Sequence, residues 1–511
     1  MLLGEIIEFN ARKYPDRTAV GYREKTCTWS EFQNRVYKIS NALSIIAKPG
    51  DRVAIWSQNN YEYTELIYGI PMAGMITTIL NYRLNPKEIE WIINNAEATV
   101  LILENQYLEG LSRLELPSVK HIISIGGGSE ALEYESWLAG SCERKPNLSI
   151  KDEDLCALVY TSGTTGRPKG AMITHKNLMA NAHNQLIEFQ LTEDNVFLLP
   201  FPLAHIVFHA MITFHYRGCP VYIMRSYDPE SWLAAVQNYK ITATSLAPTM
   251  ITMLLEHPNI NQYDLSTLRA VLYGGSGIPA EILRRTIDKF GNIFMQGFGM
   301  TETAGNFIFL NSADHLSILK GNTHLLKAAG KVACGASVRV VDEKMNDVPI
   351  GEVGEIVIRA DQVCKGYWCN QEATVAAFAG GWFHGGDMAM MDQDGYFYIV
   401  DRKKDMIITG GENVYSKEIE DVIYKNESVF EVAVFGVPDI QWGENVVAAV
   451  ALKPNMLATE EEIINLCLEN LARYKRPKKV VFLNTLPKNS SGKILKRELR
   501  EQFVKLFRKE V

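Results

Sequence analysis

The sequence lacks the features that define several special classes of protein. No internal repeat and no low-complexity run interrupts its 511 residues. Its 47% apolar and 22% charged residues are an ordinary globular composition, which excludes collagenous, disordered and disulfide-scaffold chains. Its eight cysteines are scattered, and the two closest, Cys364 and Cys369, are spaced unlike the CxxC clamp of a zinc site. We therefore expect reduced thiols in a cytosolic protein.

Targeting and membrane signals are also missing. Residues 1–20 contain no basic segment that leads into a long apolar stretch, so we expect no secretory signal or transit peptide and a cytoplasmic location. Residues 195–216 contain no Asp, Glu, Lys or Arg and imitate a spanning helix in length. Pro200, Pro202 and three histidines in this segment favour buried core, and we predict no transmembrane segment.

Charge is distributed unevenly along the chain. The formal net charge of -7 argues against a protein whose whole surface binds nucleic acid. Residues 473–511, however, contain 13 Lys and Arg against 3 Asp and Glu. Such a surface attracts polyanions such as a nucleotide, coenzyme A or nucleic acid, although a solvated chain end has the same composition.

The hydrophobic pattern predicts two unequal parts. Up to about residue 400, short apolar runs such as 52–56, 98–103 and 121–125 alternate with amphipathic stretches, which indicates α/β layers. Apolar runs at 338–341, 354–359 and 395–400 predict an antiparallel β region that closes this part. The pattern then restarts, with strands at 406–409, 432–437 and 446–452. Thr459 and Glu462 form a capping box that opens a helix through residue 472.

A loop rich in glycine and hydroxyl groups carries the first chemical signal. Residues 161–170 read Thr-Ser-Gly-Thr-Thr-Gly-Arg-Pro-Lys-Gly and follow an apolar strand. Glycines let backbone N–H groups turn toward an anion, hydroxyls add donors, and Lys169 adds a full charge, so this loop can wrap phosphates. It is not a Walker A loop, because that motif requires Gly and Lys together before Ser or Thr.

This loop resembles the phosphate loop of the adenylate-forming (AMP-binding) superfamily, and four further segments resemble that family's motifs in family order. They are the adenine and metal segment 296–303, the ribose segment 381–387, the hinge 401–414 and the catalytic-lysine loop 487–494. The resemblance is to the acyl-CoA synthetase (ligase) family. It implies an α/β fold with a large N-terminal domain, residues 1–400, of layered subdomains plus a β-barrel-like region. A hinge, 401–404, and a small mobile α+β domain, 405–511, follow.

The resemblance also implies ATP, Mg²⁺ and coenzyme A, and an acid–thiol ligase that forms acyl-AMP and pyrophosphate before transfer to the thiol. Glu302 would bind Mg²⁺, Thr301 would reach the α-phosphate, and Lys493 would contact both reactants during adenylation. The remaining nucleotide contacts would come from Thr161, Ser162, Gly163, Thr164, Thr165, Lys169, Gly297, Phe298, Gly299, Asp387 and Arg402.

A second set of residues is implied for the thiol step. The family rotates its small domain about a hinge residue, which corresponds here to Lys404. Gly410 and Gly411 would line a pantetheine channel, since only glycine leaves room there. The adenine and phosphates of coenzyme A would be met by Trp442, Lys475, Arg476 and Lys478.

The acyl pocket is the least specified part of the site. By resemblance, His205 lies near the substrate carboxylate, and the pocket is lined by Ile206, Val207, Phe208, Met250, Tyr273, Gly274, Gly275, Met300 and Ala304. These residues belong to the segments 204–208, 247–250, 273–277 and 297–304, which hold no charged residue apart from Glu302. The lack of a counter-charge disfavours amino acids and dicarboxylates as the small-molecule carboxylic acid substrate. Glycines 274, 275, 297 and 299 are expected to leave space for an uncharged chain or ring. We expect a medium- or long-chain fatty acid.

Several alternatives stay open. An aryl or cinnamate-type acid is the next substrate class, and a quaternary amine such as carnitine or crotonobetaine could be held through cation–π contact. The acceptor could be the phosphopantetheine of a carrier protein. A luciferase-like oxygenase and a catalytically inactive binding protein are further alternatives. The sequence does not determine the oligomeric state, for which a homodimer is one option, and it predicts no nucleic-acid partner.

Overall fold

The computed structural model describes residues 1–128, 131–161, 167–274, 278, 280–439, 441–488 and 494–507. The strands are β1 Thr18–Tyr22, β2 Lys25–Thr28, β3 Arg52–Trp56, β4 Ile76–Ile79, β5 Val100–Glu104, β6 His121–Ile125, β7 Leu132–Glu133, β8 Leu155–Thr161, β9 Lys169–Thr174, β10 Phe197–Leu199, β11 Val221–Ile223, β12 Ala243–Leu246, β13 Ala270–Gly274, β14 Phe294–Met300, β15 Gly305–Leu310, β16 Lys331–Val332, β17 Ala336–Val341, β18 Gly354–Ala360, β19 Phe383–Met391, β20 Phe397–Arg402, β21 Ile407–Thr409, β22 Glu412–Val414, β23 Val429–Asp439, β24 Gly443–Leu452 and β25 Lys479–Phe482.

The helices cover much of the remaining chain. They are α1 Leu3–Lys13, α2 Trp29–Ile46, α3 Tyr61–Met72, α4 Pro86–Ala96, α5 Leu108–Leu111, α6 Tyr134–Leu138, α7 His175–Phe189, α8 Phe208–Tyr216, α9 Pro229–Asn238, α10 Pro248–Leu255, α11 Ala280–Phe290, α12 Ser312–Leu319, α13 Gln371–Ala377, α14 Ser416–Ile423, α15 Glu460–Asn470 and α16 Lys496–Phe507.

The chain divides into two compact units. The first contains residues 1–338, 358–383 and 395–397, and the second contains 339–357, 384–394 and 398–511. The second unit includes residues 339–357 and 384–394, which the sequence analysis assigned to the N-terminal domain of residues 1–400. Strands β17 to β20, in the region predicted to be barrel-like, form a four-stranded sheet in chain order.

Two large sheets organise the first unit. One has the strand order β7-β6-β5-β3-β4-β8-β9 and is parallel except for the β8–β9 pair. The other runs β16-β15-β14-β13-β12-β10-β11-β1-β2 and is parallel from β14 to β1. β3 and β5 read as short continuous apolar runs because both faces of such parallel strands are covered. In both sheets the candidate motifs lie at or just beyond strand ends.

The uncharged segment 195–216 is core, as predicted. It supplies β10 and the helix α8, whose residues from Phe208 to His215 are buried. His215 Nδ1 is hydrogen-bonded to the Tyr68 hydroxyl over 2.8 Å, and burial lowers the pKa of His215 to about 3. No helix within the described residues combines the length and the apolar character needed to cross a membrane.

The second unit has its own core. β22-β21-β24-β23 form a sheet that β25 extends by pairing parallel to β24. The capping box predicted at α15 is present, because Glu462 N donates to Thr459 Oγ1 over 3.2 Å and Thr459 N donates to the Glu462 carboxylate over 2.8 Å. The helix ends at Asn470, two residues before the predicted end.

A buried ion pair connects α2 to α3 in the first unit and generates a stability prediction. Arg35 Nε lies 2.7 Å from Glu65 Oε1, and the Glu65 side chain is 0% exposed. Burial raises the pKa of Glu65, and Arg35 opposes that rise. Arg35→Met would leave Glu65 buried without its cation, so we expect a loss of about 3–5 kcal/mol in the free energy of unfolding.

Urea unfolding measured at pH 5 and pH 8 checks this expectation. The loss should be larger at pH 8, because the unpartnered Glu65 has a raised pKa in the folded state and folded-state stability falls as pH rises through it. Lys38→Met, on the same helix, is the matched control, since Lys38 pairs with the half-exposed Glu143 and should cost at most about 1 kcal/mol. Equal losses for the two variants would contradict the buried-charge argument.

Candidate active site

The stem of the phosphate loop is held by strand pairing. β8 and β9 run antiparallel with Thr161 opposite Lys169, and Thr161 Oγ1 donates to the Lys169 carbonyl over 3.4 Å. Thr161 and Lys169 therefore face each other across the mouth of the loop. Their partners in the prediction, Ser162, Gly163, Thr164 and Thr165, lie outside the described residues.

The predicted adenine and metal segment forms the end of β14 and a 3₁₀ turn. β14 passes through Gly297, Phe298 and Gly299 into the turn Thr301–Thr303. Thr303 Oγ1 donates to the Gly305 carbonyl over 2.7 Å and so fixes the turn from inside. Phe298 packs edge-on against Phe307, with ring centroids 5.5 Å apart, which leaves Phe298 half-buried.

Tyr367 connects this turn to the phosphate loop, and the sequence analysis did not identify it. Its hydroxyl donates to Glu302 Oε1 over 2.8 Å. Lys169 Nζ lies 5.3 Å from the centroid of the Tyr367 ring, within the range of a cation–π contact. The Tyr367 side chain is therefore in contact with a cation at its ring and with a carboxylate at its hydroxyl.

A buried network of amides supports the turn from below. Gln362 Nε2 donates to the Thr303 carbonyl over 2.8 Å, and Asn184 Nδ2 donates to Gln362 Oε1 over 2.7 Å. Asn181 Nδ2 donates to the Asn306 carbonyl over 2.9 Å. The signal for this network was in the sequence: Asn177, Asn181, Asn184 and Gln185 recur at helical spacing on the buried side of α7.

The predicted ribose residues lie together in the second unit. Asp387 is 4% exposed, and its Oδ1 lies 3.0 Å from Arg402 Nε. Arg402 Nη1 also donates to the Gly385 carbonyl over 2.9 Å. A buried carboxylate beside a guanidinium is a strong acceptor for hydroxyl groups, which fits a ribose.

The acyl-pocket prediction is changed by the structure in two respects. Phe208 and Tyr273 are each 1% exposed, and the Tyr273 hydroxyl is hydrogen-bonded to His315 Nε2 over 2.8 Å, so neither ring is open to a quaternary ammonium group here.

Burial lowers the pKa of His205 to about 4, and the charge of Arg83 contributes to this shift. His205 is therefore neutral at pH 7, and Arg83 is a nearby cation that the sequence analysis missed. The other predicted lining residues are half-buried at Ile206, Val207, Met250 and Met300 and buried at Ala304.

The structure gives a packing role to three of the glycines that were expected to leave room for an acyl chain. A Cβ on Gly274 would lie 2.5 Å from the Gly297 carbonyl oxygen, and one on Gly299 would lie 2.1 Å from the Gly305 carbonyl oxygen. A Cβ on Gly297 would lie 2.6 Å from the Asn306 side chain. Close packing of β13, β14 and β15 therefore explains these glycines. Gly275 lies outside the described residues.

The predicted coenzyme A surface in the second unit is assembled only in part. Gly410 N donates to the Trp442 carbonyl over 2.8 Å, and Lys478 Nζ lies 5.4 Å from the Trp442 ring. Both Gly410 and Gly411 have positive φ, of 60° and 84°. Lys475 is instead paired with Glu418 at 2.7 Å, which reduces its charge toward a phosphate. Arg476 is half-buried beside it.

The structure describes the predicted hinge and the segments on either side of the catalytic-lysine loop. Lys404 lies in the short turn Lys403–Asp405. Lys493 lies outside the described residues, but the segments around its loop are joined by a bridge between Lys488 and Ile494. Lys496 is anchored by Glu420 at 2.7 Å.

The Glu302 carboxylate fits a magnesium ion that is bound together with a nucleotide. Within the described residues, no three His, Cys, Asp or Glu side chains are grouped closely enough to hold a metal ion. Mg²⁺ usually takes one or two carboxylates and completes its shell with phosphate oxygens and water, which a single carboxylate at Glu302 satisfies.

Comparison with known proteins agrees with this chemistry. The family model described as AMP-binding enzyme matches residues 7–368, and that of the AMP-binding enzyme C-terminal domain matches residues 418–493. The chain is 38% identical over 496 residues to a feruloyl-CoA synthase of Amycolatopsis sp., covering 96% of this chain and 97% of that protein. It is 32% identical to a 2-succinylbenzoate–CoA ligase of Bacillus cereus, covering 95% and 96%.

Two further similarities bear on substrate and fold. The chain is 30% identical to the fatty acid–[acyl-carrier-protein] ligase ScoC of Streptomyces coeruleorubidus, covering 98% of this chain and 96% of that protein. Among solved structures, the anthranilate CoA ligase AuaEII in complex with anthranoyl-AMP superposes with a TM-score of 0.88 at 28% identity, covering 98% of this chain and 97% of that chain.

The glycine contacts predict the effect of one methyl group at Gly299. Gly299→Ala should destabilise the first unit by about 1–3 kcal/mol, because a Cβ cannot share space with the Gly305 carbonyl. Thermal unfolding and adenylation rates check this. If the glycine served an acyl chain, the variant would instead keep its stability and lose only longer or bulkier substrates. Gly140→Ala is the control, since nothing lies within 4 Å of its Cβ position.

Proposed function

Because this chain belongs to the AMP-binding enzyme family, we propose that it joins an aromatic carboxylic acid, of the hydroxycinnamate or benzoate type, to coenzyme A. It is an AMP-forming acid–CoA ligase that uses ATP, Mg²⁺ and coenzyme A and passes through an acyl-adenylate. The substrate class and the roles of the individual residues are the parts that we propose. The observation that supports the chemistry is that Tyr367 contacts both Lys169 and Glu302 beside the stem of the phosphate loop.

Each group has a role that follows from its charge and partners. Lys169 supplies positive charge to the β and γ phosphates. Glu302 would hold Mg²⁺, which supplies charge neutralisation between phosphates when it is bound. Asp387, buried against Arg402, accepts the ribose hydroxyls. Lys493 completes the adenylating site by contacting the carboxylate and the α-phosphate together.

The thiol step uses a different face of the small domain. Rotation about Lys404 would withdraw Lys493 and bring Gly410, Gly411 and Trp442 to the pantetheine arm. The Trp442 ring with Lys478 beside it suits an adenine and its phosphates. Free coenzyme A is the acceptor that we propose; the similarity to ScoC makes a carrier protein the alternative to test.

The similarities favour an aromatic acid over a long fatty chain. The similar proteins include a feruloyl-CoA synthase, a 2-succinylbenzoate–CoA ligase and an anthranilate CoA ligase, although ScoC is named for a fatty acid. Neutral His205 can hydrogen-bond the carboxylate of such an acid.

The substrate prediction is tested by pyrophosphate release across a panel of acids. We expect kcat/KM to be at least tenfold higher for ferulate, coumarate, benzoate or anthranilate than for octanoate or palmitate, because even one extra or missing methylene in a hydrophobic pocket is worth about 1–3 kcal/mol. Reactions with free coenzyme A and with a phosphopantetheinylated carrier protein run in parallel. Palmitate as the best acid would reject the aromatic proposal, and turnover with the carrier alone would reject the acceptor.

The assignment of Lys493 predicts a separation of the two half-reactions. Lys493→Ala should slow acyl-AMP formation by over a hundredfold, since it removes charge stabilisation of about 3 kcal/mol, while thioester formation from supplied acyl-AMP changes little. Lys488→Ala is the control: Lys488 is paired with Glu431 and should affect neither step strongly. A parallel loss in both half-reactions would show that Lys493 does not act in adenylation alone.

A further inference from the structure

Tyr367 lies between two groups that both act on the triphosphate. Its hydroxyl is 2.8 Å from Glu302 Oε1, and Lys169 Nζ is 5.3 Å from its ring centroid. We propose that Tyr367 is a positioning residue that holds the Glu302 carboxylate in the orientation required for Mg²⁺·ATP. This inference rests on the proposed role of Glu302 in holding magnesium.

The backbone around Tyr367 is fixed to the stem of the phosphate loop. Residues 365–368 run beside β9: Met172 N donates to the Gly366 carbonyl over 2.9 Å, and Trp368 N donates to the Gly170 carbonyl over 2.8 Å. Tyr367 N donates to Thr374 Oγ1 over 2.9 Å. The backbone of Tyr367 is therefore hydrogen-bonded to β9, the strand that carries Lys169.

The same segment also holds the backbone of the metal turn. Cys364 N donates to the Glu302 carbonyl oxygen over 2.8 Å, so Glu302 is contacted at its main chain and at its side chain by residues three positions apart. Gly366 makes the intervening turn possible, because its φ of 130° is unfavourable for other residues and a Cβ would lie 2.5 Å from Thr374.

The chemistry of this arrangement is that of an outer contact to a metal ligand. A hydroxyl that donates to Oε1 occupies one lone pair of the carboxylate and leaves Oε2 to face a cation. Outer hydrogen bonds of this kind orient the ligand, and their loss typically costs about 10- to 100-fold in metal affinity or activity. Packing alone would need the Tyr367 ring but would gain nothing from its hydroxyl.

Tyr367→Phe separates these two roles, because it keeps the ring beneath Lys169 and removes only the hydroxyl. Calorimetric titration measures the Kd of ATP with Mg²⁺ and the Kd of ATP in EDTA for each variant. We expect Tyr367→Phe to weaken Mg²⁺·ATP binding about tenfold, to leave metal-free ATP binding within about twofold, and to raise the Mg²⁺ concentration needed for adenylation. Tyr160→Phe is the matched control, since that hydroxyl, on the neighbouring β8, donates to Asn95 over 2.7 Å.

Glu302→Gln and the double variant distinguish the positioning role of Tyr367 from the magnesium-binding role of Glu302, on which it rests. If Glu302→Gln leaves Mg²⁺·ATP binding unchanged, the assigned magnesium carboxylate is wrong. If Glu302→Gln weakens it and Tyr367→Phe does not, only the positioning role fails. Equal weakening of metal-free and Mg²⁺·ATP binding in Tyr367→Phe would likewise overturn that role. With positioning through Glu302, the double variant should be no weaker than Glu302→Gln alone.

Discussion

The candidate site is built around one electrostatic constraint: a substrate carboxylate must approach the α-phosphate of ATP, and both groups are anions. At 4 Å, two unit charges repel by about 4 kcal/mol even at an effective dielectric constant of 20. The protein must supply cations while keeping its own carboxylates from adding to the repulsion. Asp387 is accordingly paired with Arg402, and Glu302 is held at the turn where a divalent cation would neutralise it.

This constraint explains why the site is assembled from strand ends and short turns. A lysine on β9, a carboxylate on the turn after β14 and a tyrosine on the segment after β18 must share one small volume. The amides of α7 satisfy the buried carbonyls that such irregular backbone leaves, so that the turn is held without further charge. The polar packing of the turn and the charge of Lys169 are thus two parts of the same solution.

The sequence predicted those features whose causes are local. Strands 52–56 and 121–125 are found at the predicted residues because an apolar run between turn residues has one stable assignment in a parallel sheet. The α15 capping box needs only Thr459 and Glu462. The motif residues Thr161 with Lys169, and Asp387 with Arg402, are brought together as pairs. Non-local contacts were beyond this reasoning: Tyr367 reaches Glu302 from 65 positions away, and Lys475 finds Glu418 from 57.

The acyl region shows why an absence of charge in selected segments is a weak guide to a pocket. The predicted lining residues contain no Lys or Arg, yet Arg83 arrives from the loop after β4 and acts on His205. Glycines in that lining suggested empty space, but a neighbouring strand occupies the Cβ position at Gly274 and Gly299. A pocket is defined by what the remainder of the chain brings to it. Close strand packing at these glycines and the burial that keeps His205 neutral are both of this kind, because each depends on contacts between distant parts of the chain.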